Sequence, residues 1–148
     1  MSSRGYACIG LDNPKTAINV GSAMRAAGCF GASLVVVSGR RVASGATDTM
    51  KAFRHVPLVH SDDVLACLPF NCVPVAIELV EGAQLLGAYV HPERAFYVFG
   101  AEDATLGSRI LGRCRDVVQI ETVGCVNLAA AVNIVLYDRH TKREQGNG

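Results

Sequence analysis

Short, uninterrupted apolar runs alternate along this chain with longer segments whose apolar residues recur at helical spacing. Residues 6–11, 33–37, 73–79, 95–99 and 116–120 are rich in Val, Ile, Ala, Leu and aromatic side chains, and Gly, Pro, Asn or other polar turn residues bound them. This predicts strands. Strands apolar on both sides are covered on both faces, so the pattern predicts an α/β fold, a mainly parallel sheet with helices on both faces. Helices are predicted over 19–30, 48–54, 61–68, 107–113 and 127–143, the third capped by Ser61 with Asp62 and Asp63 in its first turn.

The last helix differs from the others. From Leu128 to Leu136 only Asn133 interrupts its apolar surface, and a helix apolar all round is buried on all sides. The expectation is that one side packs on the sheet and the other on a second copy of the chain, giving a homodimer through the C-terminal helix.

The 148 residues, half of them hydrophobic, suit a single domain spanning 1–148 with a real core. A formal net charge of +1 means that a nucleic-acid partner would be held by a local patch and not by overall charge. No apolar stretch reaches the ~18 to 20 residues that cross a bilayer, and the first residues run into a strand pattern instead of a signal sequence, which predicts no membrane partner and a cytoplasmic protein. The six cysteines form no CxxC pair and no two histidines stand at helical ligand spacing, so reduced thiols and no metal site are expected.

Several segments can carry chemistry. Asn19, Gly21 and Arg25 fall at the start of the first helix, where Asn19 and Arg25 either flank one site or act as a cap and a solvated surface charge. Phe99-Gly100 ends a strand, and Ala101-Glu102-Asp103 follows before Leu106-Gly107 opens a helix. Glycine there permits close approach of a ligand, while the acidic turn also reads as a helix cap. Gly124 through Leu128 joins a loop to a helix N-terminus, with Asn127 as cap or as orienting group. Cys125 has no histidine near it in sequence to activate it as a nucleophile. Arg40, Arg41, Lys51 and Arg54 flank a small-residue loop over 42–49 that is either phosphate-binding or solvated. Arg139, Lys142 and Arg143 near the last helix end are RNA contacts or complements of the helix dipole. The first strand is followed by no GxGxxG turn, which argues against a Rossmann-like small-molecule enzyme.

Taken in order, Asn19-Val20-Gly21 through Arg25, Phe99-Gly100-Ala101-Glu102 through Leu106-Gly107, and Ile120-Glu121 then Cys125-Val126-Asn127-Leu128 resemble the three motifs of the SpoU/TrmH family of SPOUT RNA methyltransferases. The resemblance spans about residues 6–143 and implies a C-terminal deep trefoil knot, bound S-adenosylmethionine, a homodimer, and methylation of a ribose 2′-hydroxyl in tRNA or rRNA. It further implies cofactor contacts from Ile77, Glu78, Gly100, Ile120, Cys125, Val126 and Leu128, and a polar centre of Asn19, Arg25, Glu102 and Asn127. The resemblance is to the small tRNA methyltransferases of the family, so no separate RNA-binding extension is expected. Glu121 stands where relatives usually have Pro, and Cys125 where they usually have Ser. The altered third motif leaves a second reading, a catalytically silent RNA-binding knot protein.

Overall fold

A computed structural model describes residues 4–42 and 55–146. Among the described residues the sheet has seven strands, β1 (Tyr6–Leu11), β2 (Leu34–Ser38), β3 (Leu58–Ser61), β4 (Val73–Ile77), β5 (Gln84–Leu85), β6 (Arg94–Phe99) and β7 (Asp116–Gln119), in the order β3-β2-β1-β6-β4-β7-β5. Every pairing is parallel. The helices are α1 (Ala17–Cys29), α2 (Gly107–Leu111) and α3 (Leu128–Gly146). The central strands β1 and β6 are the most apolar and are buried almost throughout, whereas edge strand β5 is exposed.

Alternate residues along each strand feed two cores. On one face Ile9, Leu11, Val35, Val37, Val75, Tyr97 and Phe99 pack with Val20 and Met24 of α1 and Val132, Val135 and Leu136 of α3. On the other, Cys8, Val36, Ala76, Phe96 and Val98 meet Val64, Leu65 and Leu106, with Ile110 and Leu111 of α2 against them. Both faces are therefore covered, but unevenly among the described residues: the two long helices share one face, and turns with the short α2 serve the other.

Two expectations over elements change. The helix predicted over 61–68 is absent, because Ser61 ends β3 and local side chains capture the amides a helix would use. Ser61 Oγ accepts from the Asp63 N–H at 3.4 Å and Asp63 Oδ1 from the Leu65 N–H at 3.1 Å, a competition that favours turns over helix. The short edge strands β3 and β5 were not foreseen, since neither has the long apolar run of a central strand. The predicted helix 48–54, with Lys51, Arg54 and the loop from residue 43 onward, lies outside the described residues.

The last helix packs on α1 as well as on the sheet, so much of the surface expected to need a second copy is covered within the chain. Ile134 and Tyr137 of α3 stay exposed, as does Ile18 of α1. The basic residues at its end have a structural task that neither sequence reading anticipated. Arg139 is buried and donates to the carbonyls of Pro92 (2.6 Å), Glu93 (2.7 Å) and Tyr6 (3.4 Å) and to the Tyr97 hydroxyl (3.1 Å). Lys142 Nζ donates to the carbonyls of Leu86 and Tyr89 at 2.6 and 2.9 Å, and Arg143 to the carbonyl of Arg4.

Candidate functional site

The carboxyl ends of parallel strands carry the loops that build sites in open α/β sheets. Here the loops after β4, β6 and β7, together with the start of α3, enclose a cavity of about 420 Å³. Ile77, Glu78, Gly100, Ile120, Cys125, Val126 and Leu128 all line it, and so does Glu102. The walls are otherwise apolar, from Leu79 and Phe99, with Asp103 and Thr122 at polar points. The parallel register carries the ends of β4 and β6 to the same level, Ile77 beside Phe99.

A chain of side-chain amides and one carboxylate ties this edge together. Asn127 Oδ1 accepts the N–H groups of Ala129 (2.9 Å) and Ala130 (3.2 Å), capping α3. This turns its amide nitrogen outward, to donate to Asn19 Oδ1 at 3.0 Å. Asn19 Nδ2 then donates to Glu102 Oε2 at 2.7 Å. Glu102 also accepts the Lys15 N–H at 3.0 Å on Oε1 and the Thr16 hydroxyl at 3.3 Å on Oε2. Partial burial pushes the Glu102 carboxyl up, but these donors outweigh it and hold the group below its ordinary value. Glu102 is therefore a fixed anion at neutral pH.

Arg25 does not join this chain. It is exposed on α1 and makes no hydrogen bond to Asn19, Glu102 or Asn127. Six positions on an α-helix amount to a rise of about 9 Å and about 120° of rotation, so the spacing separates the two side chains. Gly100, besides lining the cavity, also shapes its own loop. A Cβ there would lie 3.3 Å from the Ala104 carbonyl oxygen and 3.4 Å from the Leu106 nitrogen, so the missing side chain tightens the loop on itself. Glu78 Oε1 accepts the Leu106 N–H at 2.7 Å, which binds the end of β4 to the residue before α2.

The SpoU rRNA Methylase family model matches residues 6–137. The chain belongs to the SpoU methylase family, a family of RNA methyltransferases. Similar solved structures include the SpoU methyltransferase AviRb from Streptomyces viridochromogenes in complex with AdoMet, with 18% identity, a TM-score of 0.80 and 97% of this chain aligned to 59% of that one. This chain thus spans about three fifths of AviRb. The A. aeolicus TrmH/SpoU tRNA modifying enzyme aligns at 18% identity and a TM-score of 0.82, over 98% of this chain and 79% of that one. A structure solved for the 2-OH methylation of C/U34 on tRNA aligns at 22% identity and a TM-score of 0.80, over 94% and 97% of the two chains. No curated protein matches the sequence. At these identities the solved structures establish the shared fold.

In this member of the SpoU methylase family, the structure adds Thr16 to the site and gives Glu121, Gln119 and Arg41 partners that the sequence does not reveal. Thr16 is the cap of α1, accepting the Asn19 N–H at 3.2 Å; a threonine just ahead of a helical run is a signal that could have identified it. Glu121 Oε1 accepts the Gly87 N–H at 2.7 Å, and Gln119 Nε2 donates to the Ala83 carbonyl at 3.1 Å. Together they tie the end of β7 and the segment after it to the residues around β5. Arg41 pairs with Asp103, a partner 62 residues away that no local pattern reveals.

Proposed function

We propose that this protein is an S-adenosylmethionine-dependent RNA methyltransferase acting on a ribose 2′-hydroxyl, in tRNA ahead of rRNA. The observation that carries the reading is the convergence of an apolar cavity at the strand ends with the Asn127–Asn19–Glu102 chain beside it. The cavity fits the cofactor in size and chemistry. About 420 Å³ lies within the ~300 to 1,000 Å³ range of small-molecule sites, its apolar walls suit a nucleoside, and its carboxylates suit a cation.

Ile77, Ile120, Val126 and Leu128 would hold the nucleoside, with Glu78, Gly100 and Cys125 completing the wall. When bound, S-adenosylmethionine supplies a methyl group on a positively charged sulfur. Glu102, kept anionic by its donors, fixes the loop after β6 against the start of α1, so the entrance is pre-organised. The Arg25 guanidinium would hold an RNA phosphate and stabilise the developing alkoxide. Asn19 and Asn127 hold Glu102 and the start of α3 in place beside the cavity.

The homodimer belongs to the same reading, with exposed Ile134 and Tyr137 of α3 and Ile18 of α1 as its apolar surface, and so does a cytoplasmic location. So does the knot. Glu121 and Lys142 lie against residues 86–89, at Gly87 and at Leu86 and Tyr89, as they would if the C-terminal segment passed through the loop between β4 and β6. No helix of the described residues is long and apolar enough to cross a membrane.

Methyl transfer from S-adenosylmethionine to bulk tRNA, followed by mass-spectrometric mapping of 2′-O-methyl nucleotides, tests the proposal. A new 2′-O-methyl site supports it, and RNA binding with neither cofactor binding nor transfer would leave the silent RNA-binding protein instead. Arg25→Ala is expected to cut transfer at least 100-fold while cofactor binding persists. Unchanged turnover would remove Arg25 from the mechanism.

A further inference from the structure

We propose that Arg41 is a positioning residue for the cofactor cavity, acting through Asp103 to hold the loop after β6 in its binding shape; the inference rests on the methyltransferase reading above. Arg41 Nη1 donates to Asp103 Oδ2 at 2.9 Å and Nη2 to Asp103 Oδ1 at 3.0 Å, a two-point pair, while Nη2 also donates to the Asn13 carbonyl at 2.7 Å. One guanidinium thus joins the loops after β1, β2 and β6.

The strap that carries Arg41 is itself fixed. The Asn13 N–H donates to both the carbonyl and the hydroxyl of Ser38 at 3.1 Å, and Ser38, buried at the end of β2, donates onward to Asp12 Oδ1 at 2.9 Å. Gly39 adopts φ +84°, and a Cβ there would stand 2.1 Å from Asn13 Oδ1. Only glycine lets the strap lie this close to the loop after β1. Arg41 therefore approaches Asp103 from a rigid base.

Asp103 lines the cavity and is the neighbour of Glu102. Glu102 is anchored to the start of α1 through Lys15, Thr16 and Asn19, so this acidic turn is gripped on both residues, from two different loops. The guanidinium beside Asp103 holds its carboxyl below the ordinary carboxylate value. Without Arg41, Asp103 loses its ion-pair partner beside the anionic Glu102, and the loop that forms one wall of the cavity keeps its anchorage at Glu102 and Leu106 but loses that at Asp103.

Calorimetric titration of the full chain with S-adenosylmethionine and with S-adenosylhomocysteine tests this. Arg41→Ala and Asp103→Ala should each weaken binding about three- to tenfold, with a melting temperature within about 3 °C of the wild type. The exchanged pair R41D/D103R should recover binding, which a residue of merely bulk structural importance would not do. Arg41→Ala binding within twofold of the wild type, or an exchanged pair as weak as Arg41→Ala, overturns the inference and leaves the proposed function intact. A wild-type chain that binds neither compound overturns both.

Discussion

Asn127 performs two tasks with the two ends of one amide, and a single substitution separates them. Its oxygen caps α3 through the N–H groups of Ala129 and Ala130, and its nitrogen donates to Asn19. In Asn127→Asp the carboxylate remains a good cap and gains from the positive end of the helix dipole. The donor to Asn19 is lost, however, and a negative oxygen replaces it 3.0 Å from Asn19 Oδ1. Asn19 cannot escape by turning over, because its own nitrogen is committed to Glu102 at 2.7 Å. In Asn127→Ala both tasks are lost. Loss of a cap costs about 1 kcal/mol, or about 2 to 4 °C in melting temperature for a chain of this size. Asn127→Asp should therefore melt within about 1 °C of the wild type, or above it, while losing at least tenfold in kcat/KM, equivalent to about 1.4 kcal/mol of misplaced hydrogen bonding. Thermal unfolding and methyl transfer to tRNA, measured on the same preparations, make the comparison. The reasoning is refuted if Asn127→Asp is as active as the wild type, or if it is destabilised as much as Asn127→Ala.

Two further outcomes follow from other parts of the fold. His91 is buried with Nε2 donating to Asp138 at 2.7 Å and Nδ1 accepting from the Tyr97 hydroxyl at 2.7 Å, and its other neighbours are Tyr89, Arg139 and Lys142. Burial lowers its pKa and outweighs the opposing pull of Asp138. The unfolded chain then binds the proton more readily, so the stability His91 contributes is complete above about pH 6.5 and is lost as pH falls through its folded value. Melting scans should decline from pH 7 to pH 5, and a flat profile would sink this assignment. Removing the carboxylate in Glu121→Ala frees the Gly87 N–H and should weaken S-adenosylmethionine binding a few-fold in titration calorimetry. Glu121→Gln, which keeps an acceptor oxygen, should restore it; equal losses in both would mean that charge, not the hydrogen bond, matters.

How far the sequence revealed this molecule depended on the range of the interactions concerned. The central strands and the two long helices were legible because each repeats one local pattern over many residues, and burial in the structure follows it. The residues expected around the cofactor all line one cavity because the ends of parallel strands converge. Ser61 misled for the opposite reason: a helix-start signature and a turn signature use the same side chains, and only the β2–β3 pairing decides between them. Arg25 was placed beside Asn19 by counting residues, where the rotation of the helix separates them. Arg139 reads in the sequence as an RNA contact or a complement of the helix dipole, because its four acceptors come from segments more than 40 residues away.

That last cluster has a consequence for how the protein comes into being. The Tyr6 carbonyl, at the head of the first strand, waits for a donor at Arg139, and the apolar faces of β1, β2 and α1 wait for Val132, Val135 and Leu136. Ribosomes add about 5 to 20 residues per second, so these surfaces stand uncovered for many seconds while the rest of the chain is made. Closure of the core therefore waits until α3 has been made and clears the exit tunnel, and these surfaces are most aggregation-prone just before that moment.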